Sequence, residues 1–330
     1  GSKFIPEKID SANVKNENRK KEEKVYVIPL GGIEEIGKNM TAFQYKDEII
    51  IVDDGSTDET GKVADELLTQ SKKINVVHQS NGGASKARNT GMSRAMGDYI
   101  LFLDGDDFWS DSRFLKQIAS ELTVELVDVI IFGYSYYYDN GIKESPISRL
   151  KDLDEATNFG LFNGPNWNKC ISKELINKGL SFPEDLVSED SLYCSSIMKM
   201  MKSFSVITST QYMYRQNRAG SLTNVVKERN VLDTLEGISR GLSDEKSLSE
   251  VKRKALNTYF TISYISILPY AKPYLFNQEI RNLLIQYKYL LRNSSHIKNK
   301  SFKMTGIFTS IFGINISTRL FSYLLKFYKK

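Results

Sequence analysis

The chain has 330 residues, 41% hydrophobic and 26% charged, which is the composition of an ordinary soluble globular protein with room for one large or two modest domains. No segment reaches the clean apolar run of about 18 residues that a membrane-spanning helix needs. A net charge of +5 suits an anionic surface or a phosphorylated substrate but is too mild for a nucleic-acid signature, so no nucleic-acid partner is expected.

Residues 1–24 mix Lys, Glu and Asn without apolar periodicity, which predicts a disordered tail and no signal peptide. Val-Tyr-Val-Ile-Pro at 25–29 reads as a first strand, and Leu30-Gly31-Gly32 as a turn. Residues 33–45 admit two readings. Ile33, Ile36, Met40 and Phe43 recur at helical spacing, giving a crossover helix; residues 40–45 equally form a strand hairpinned to 49–52 through Lys46-Asp47-Glu48. After Val52, Ser56-Thr57-Asp58-Glu59 has the capping-box spacing, so a helix starts there with Val63, Leu67 and Leu68 inward. Residues 74–77 are a short strand and 81–83 a turn. Ser85 caps a helix running to Met96, whose Ala84, Ala87, Gly91 and Ala95 make a small-residue face. Gly97 ends it, and another strand starts at Tyr99. This strand–helix alternation predicts an α/β, Rossmann-like, mainly parallel sheet flanked by helices.

Residues 111–122 form the next helix, with Ser112 a candidate cap. A long β-rich run at 127–138 closes on Asp139-Asn140-Gly141; its alternating Tyr134, Tyr136 and Tyr138 predict an antiparallel, partly exposed strand. Helices follow at 152–162, 172–178 and 189–201, the last with Ser188 as candidate cap, and strands at 204–207 and 211–215. From 226 the pattern is mostly helical, interrupted by Pro269 and Pro273. The organisation expected is a tail (1–24), an α/β domain (25–225) and a helical C-terminal region (226–330). Cys170 and Cys194 suggest neither a disulfide framework nor zinc-ligand spacing, so a reducing, cytoplasmic setting is expected.

Two apolar runs end abruptly in acids: 49–52 in Asp53-Asp54, and 99–103 in Asp104-Gly105-Asp106-Asp107. Such runs read as strands buried on both faces. Ligands of open α/β sheets bind beyond the carboxyl ends of strands, so two aspartate clusters arrive at one sheet edge.

These acidic turns, with Asn81-Gly82-Gly83, Ala87-Arg88-Asn89-Thr90-Gly91 and Trp109, resemble in order and spacing the core of a family 2 glycosyltransferase of GT-A fold. Trp167-Asn168-Lys169, Phe182-Pro183, Glu189-Asp190 and Tyr212-Met213-Tyr214-Arg215 resemble the acceptor half of bacterial polysaccharide-synthesis members, with their capsule and cell-envelope glycans. The resemblance covers about residues 49–221. Such enzymes usually begin with a strand ending in Pro, an aromatic and Asn. Here residues 24–52 instead resemble the start of a ribonuclease J, a metallo-β-lactamase-fold nuclease, and Ile-Ile-Val-Asp is shared where the resemblance switches. The departure bears on the base-binding side of the donor site.

The resemblance implies a metal-dependent, inverting transfer of a sugar from a nucleotide donor, UDP-linked, to a hydroxyl of a glycan or lipid-linked glycan. It implies Mn²⁺ or Mg²⁺ on the Asp-x-Asp acids Asp104 and Asp106, since these ions take oxygen ligands and share substrate phosphates. The other reading of that turn is an acidic helix cap. One of Asp53 and Asp54 would accept the uracil N3–H, or Asp53 would only cap the local turn. The donor site would further include Pro29, Arg88, Gly105, Arg215 and Arg218. Arg88 would contact base or diphosphate, or else bridge to the neighbouring aspartates. Asp190 is the candidate catalytic base, with Glu189 to support or replace it; both acids also suit a helix first turn. Trp109 and Trp167 are acceptor-side candidates, Trp167 either stacking on a sugar or packing. The tail, with Ile307, Phe308, Ile311, Phe312, Ile314 and Ile316, then Leu320, Phe321, Leu324 and Leu325, followed by Lys326, Lys329 and Lys330, either lies peripherally at the inner face of a membrane or packs into a core or dimer. Two rivals come from other classes. A metallo-nuclease needs many histidines, and the chain has only His78 and His296. A non-catalytic or misjoined chimera would have an impaired nucleotide site.

Overall fold

The computed structural model describes residues 39–44, 48–111, 113–216 and 226–328. The expected tail, the strand at 25–29, Pro29, Ser112 and Arg218 lie outside them. One nine-stranded sheet runs through the α/β part in the order β3-β2-β1-β4-β8-β6-β9-β5, with β7 paired beside β6. Its strands are β1 (Asn39–Gln44), β2 (Glu48–Asp53), β3 (Ile74–His78), β4 (Tyr99–Asp104), β5 (Phe108–Trp109), β6 (Val129–Tyr138), β7 (Gly141–Ser145), β8 (Lys169–Ser172) and β9 (Phe204–Arg215).

The open question at 33–45 resolves as the hairpin. β1 pairs antiparallel with β2, Met40 opposite Val52, and on its other edge antiparallel with β4, Met40 opposite Asp104. The sheet is therefore mixed. The parallel pairing expected holds at β2–β3 and β6–β9, while the hairpin return of β1 and the pairs around β8 run antiparallel. β2 and β4 still point the same way, with one strand between them, so Asp53 and Asp104 end about 10 Å apart across the same edge.

The helices follow from burial on two sheet faces. In β2, Ile50 and Val52 join the main core with Ala87 and Met92 of α2 (Ala84–Arg94), while Ile51 turns to Ala64 and Leu67 of α1 (Thr60–Gln70). That two-sided burial is why residues 49–52 read as continuously apolar rather than alternating. α3 (Arg113–Val124) buries Phe114, Ile118 and Leu122. The caps differ from those expected. α1 begins at Thr60, whose N–H donates to Asp58 at 3.0 Å, and not at a Ser56 capping box. Gly83, with φ 85°, sits at the start of α2 in place of Ser85. Ser188 makes no side-chain cap to α6 (Glu189–Met200). The two strands expected at 204–207 and 211–215 are one strand, β9, continuous across a register shift opposite Phe132–Tyr134.

The remaining helices are α4 (Leu153–Asn158), α5 (Lys173–Asn177), α7 (Glu228–Leu242), α8 (Glu250–Ala271), α9 (Gln278–Gln286) and α10 (Lys300–Tyr328). The C-terminal region is helical as expected and shares the main core: Tyr259 of α8 donates to the Ser191 carbonyl at 2.8 Å. α7 positions the chain just ahead of α6. Its fully buried Asp233 accepts the Val187 N–H at 2.6 Å and pairs with Arg229, and Arg240 pairs with Asp185 at 2.6 Å.

Candidate active site

At the end of β2 both acids already have partners. Asp54 is fully buried and accepts three donors: Gln79 Nε2 at 2.7 Å and the Gly82 and Gly83 N–H groups at 2.9 and 2.7 Å. It thereby fixes the Asn-Gly-Gly turn against the sheet edge. Gly55 (φ 75°) lies so close that a Cβ there would be 2.7 Å from the Asn81 nitrogen. Asp53 accepts from the Ser56 N–H at 2.9 Å and contacts His78 Nδ1 at 2.9 Å, while His78 Nε2 reaches Asp65 at 2.9 Å. Burial opposes ionisation of Asp53, but the Ser56 and His78 contacts outweigh it and hold the carboxyl below its usual range. Hydrogen bonds donated to Asp65 and then to Asp53 raise the His78 pKa. His78 is thus a structural strand-end residue.

Each polar residue of the Ala-Arg-Asn-Thr-Gly string in α2 makes a contact of its own. Asn89 binds the Phe182 backbone both ways, accepting its N–H at 2.8 Å and donating to its carbonyl at 2.9 Å. Thr90 donates to Gln79 at 2.7 Å. Arg88, 6% exposed, lies over the Phe182 ring and bridges Asp104 at 3.2 Å and Glu189 at 2.5 Å. Burial works against its charge, but Asp104, Asp190 and Glu189 outweigh burial and raise its pKa. Of the two roles open to Arg88, the bridge to acids is the one present.

Three more acids, Asp106, Asp107 and Asp190, stand around that bridge. Burial raises Asp104, with Arg88 opposing. Burial, followed by the charges of Asp104 and Asp106, pushes Asp107 up to about 8. Asp107 acts as a brace: it accepts from Tyr212 Oη at 2.7 Å and the Arg215 N–H at 2.9 Å, tying the end of β9 to the acidic turn. Burial and then Asp190 push Glu189 up to about 7 against the pull of Arg88. Asp190 accepts from Asn166 Nδ2 at 2.5 Å. Arg215 donates from Nε to the Asp106 carbonyl at 2.9 Å, its guanidinium over Phe108 and Tyr137, so it lines the outer rim of the turn that contains Gly105.

The structure therefore brings together Arg88, Asp104, Asp106, Glu189, Asp190 and Arg215, drawn from α2, β4, α6 and β9. Asp53 and Asp54 stand at the end of β2, across β1 from Asp104. Trp109 is buried, and Trp167 takes the second of its two readings, packing. They are 5% and 4% exposed; Trp109 packs on Phe114, and Trp167 stacks on Tyr212 at 4.1 Å and 5°. Aromatic cohesion draws both rings into the core, so neither offers a face to a sugar. Sequence reasoning missed Asn166, and it quoted Lys169 and Tyr212 within motifs without giving either a role. The buried Lys169 ammonium donates to the Gly164 and Pro165 carbonyls and to Asn168, knitting the turn that carries Asn166. The available signal was a lysine directly after Asn-Trp-Asn and ahead of Cys170-Ile171.

Among the described residues no group of three or more His, Cys, Asp or Glu is arranged to hold a metal by itself. A Mg²⁺- or Mn²⁺-type site that borrows phosphate oxygens needs only one or two carboxylates. The acids crowded at this edge, whose charges add to burial in pushing Asp107 and Glu189 up, fit such a cation. Asp104 and Asp106 are the residues that would hold it.

Comparison with known proteins agrees with this edge. The family model described as glycosyl transferase family 2 matches residues 33–179. The glycosyltransferase GlyG of Streptococcus pneumoniae is 30% identical over 215 residues, covering 60% of this chain and 70% of GlyG. EpsJ of Bacillus subtilis, named an uncharacterized glycosyltransferase, is 30% identical over 190 residues, 54% of this chain but only 55% of EpsJ. Among solved structures, residues 1–349 of Staphylococcus aureus TarS in complex with UDP-GlcNAc superpose with a TM-score of 0.65 at 17% identity, over 84% of this chain and 82% of that one. The paired acids at the sheet edge, the fold and the GlyG match converge: the chain belongs to glycosyltransferase family 2 and is a glycosyltransferase with a GT-A-like fold.

Proposed function

We propose that the chain is a metal-dependent, inverting enzyme that moves a sugar from a UDP-linked donor to a hydroxyl of a glycan or lipid-linked glycan. The observation that carries this reading is the convergence on Arg88 of acids from two distant segments, Asp104 at the end of β4 and Glu189 at the start of α6, with Asp190 beside them on Asn166. The TarS structure with UDP-GlcNAc supports the choice of a UDP-sugar.

In this reading Asp190 takes the proton of the acceptor hydroxyl as its oxygen attacks the anomeric carbon. Asn166 holds the carboxylate in register through the 2.5 Å hydrogen bond. The nucleoside diphosphate leaves towards Asp104 and Asp106, the residues that would hold Mn²⁺ or Mg²⁺, an ion that would supply charge neutralisation there. Arg88 places Asp104 and opposes the rise that burial gives its pKa, and Arg215 offers a second cation at the rim. Asp53, the more exposed of the two β2 acids, is the one assigned to the uracil edge; Asp54 is committed to the Asn-Gly-Gly turn. The segment that resembles a ribonuclease J start contributes β1 to this sheet. It has no nuclease role in this proposal, because the chain has only two histidines.

The test is calorimetry with UDP and Mn²⁺, followed by transfer assays over several UDP-sugars. Binding is expected in the wild type and in Asp190→Asn, with transfer lost in both Asp104→Ala and Asp190→Asn while each stays folded. Full transfer by Asp190→Asn would overturn the base assignment. No heat with UDP would favour a non-catalytic chimera.

A further inference from the structure

The C-terminal helix exposes apolar side chains and buries polar ones. Gly313, with φ 79° and ψ 168°, breaks α10 into two arms. Phe308 and Phe321 would be about 20 Å apart along a straight helix, yet their rings meet at 5.6 Å, so the second arm folds back on the first. The second arm buries its hydroxyls: Ser317 and Thr318 are fully enclosed. Its exposed residues are Ile316 at 54%, Leu320 at 38%, Tyr323 at 60% and Leu324 at 51%, spaced to share one helical face. Ile311 and Phe312 extend the stripe across the bend, at 70% and 50%. Single exposed apolar residues need no explanation, but a contiguous stripe of six does.

Charge identifies what covers it. After Glu279 the sequence contains ten Lys and Arg and no Asp or Glu, so the rest of the chain is net negative. Arg319 lies within the stripe, Lys300 and Lys303 start the first arm, and in sequence Lys326, Lys329 and Lys330 come after Leu324. A second copy would bring an equally cationic face against this one, which disfavours self-pairing. No helix among the described residues is long and apolar enough to cross a membrane.

We propose that α10 docks the protein on an anionic lipid surface, with the Ile316–Leu320–Leu324 stripe at the headgroup–acyl boundary and the surrounding lysines and arginines among the phosphates. This rests on the geometry and charge of α10 alone and is independent of the sugar chemistry proposed above.

The experiment is co-sedimentation of the full chain with phosphatidylcholine vesicles, with and without phosphatidylglycerol, at low and high salt. Binding is expected to be at least about tenfold stronger with the anionic lipid and to weaken in salt. The double variant Leu320→Glu/Leu324→Glu should lose it while keeping its unfolding midpoint and its heat of UDP binding, since both side chains face solvent. Equal binding to both vesicle types, or undiminished binding by the variant, would overturn the proposal. So would a lipid-free dimer that the variant dissociates, because the stripe would then be covered by a second copy. Failure of UDP binding in the wild type would bear only on the donor reading.

Discussion

Replacing Arg88 with Met tests whether one buried cation holds the acidic cluster together. Methionine fills a similar volume but removes the guanidinium that bridges Asp104 and Glu189, at 3.2 and 2.5 Å. Removing one partner of a buried ion pair costs about 3–5 kcal/mol when the other stays charged. The acids, however, escape part of that cost by protonation. Glu189 sits at about 7 even with Arg88 beside it, and Arg88 acts to lower it. Below pH 7 Glu189 is largely protonated in both proteins, so it adds nothing to their difference. Above pH 7 it ionises in the wild type with Arg88's help, but in the variant its folded pKa lies higher. The folded variant then binds a proton that the folded wild type has released, and the variant's deficit grows with pH at about 1.4 kcal/mol per unit until the higher pKa is reached. A deficit of about 2–3 kcal/mol at pH 6 should therefore rise to about 4–5 at pH 8.5. Urea denaturation at both pH values, with unchanged m, measures it. A deficit that is flat or falls with pH would refute the reasoning, as would one below about 1 kcal/mol at both values.

The Asp53–His78–Asp65 contact makes a weaker and opposite pH prediction. His78 is raised in the fold, so its contribution is complete below its unfolded value and is lost as pH rises through the folded pKa; Asp53 is lowered, so its share is lost only as pH falls through that depressed value. His78→Ala should cost about 0.2–1 kcal/mol near pH 5 and much less at pH 9, the small size following from a half-exposed ring. Equal losses at the two pH values in urea melts would show that packing, not charge, explains the contact. Asn166→Ala should lower kcat about 100-fold through misplacement of Asp190, with the heat of UDP binding and donor KM unchanged. A rise in donor KM at constant kcat would assign Asn166 to the donor instead.

The parts of the fold legible in the sequence are those where burial alone decides. Residues 49–52, 99–103 and 129–132 are continuously apolar because helices or further core cover both faces, and each is a strand. Helix starts were less legible because they depend on competition between neighbouring donors and acceptors. Asp58 displaces Ser56 as the partner at α1, and Gly83 replaces Ser85 at α2 because Asp54 needs the Gly83 N–H. Trp167 stayed open between stacking on a sugar and packing for a related reason. Trp167 does not declare that Tyr212, 45 positions later, lies flat against it; that depends on the pairing of β6 with β9.

β1 shows where local pattern runs out and what the site depends on. Residues 40–43 have helical and strand spacing at once, so only the hydrogen-bonding vacancy between β2 and β4 can choose between them. Filling it antiparallel costs little locally, because antiparallel ladders are at least as stable per residue as parallel ones. The functional consequence follows from direction. A strand entering this gap antiparallel begins, rather than ends, at the acid-bearing edge, with Asn39 opposite Asp53 and Met40 opposite Asp104. The backbone that meets the donor edge between those acids is thus the start of β1, not the carboxyl end of a parallel strand. Both acid clusters keep their places on β2 and β4 whichever way β1 runs. Donor binding and acid placement are therefore separable, and a substitution confined to β1 should change the affinity for UDP before it changes the chemistry at Asp190.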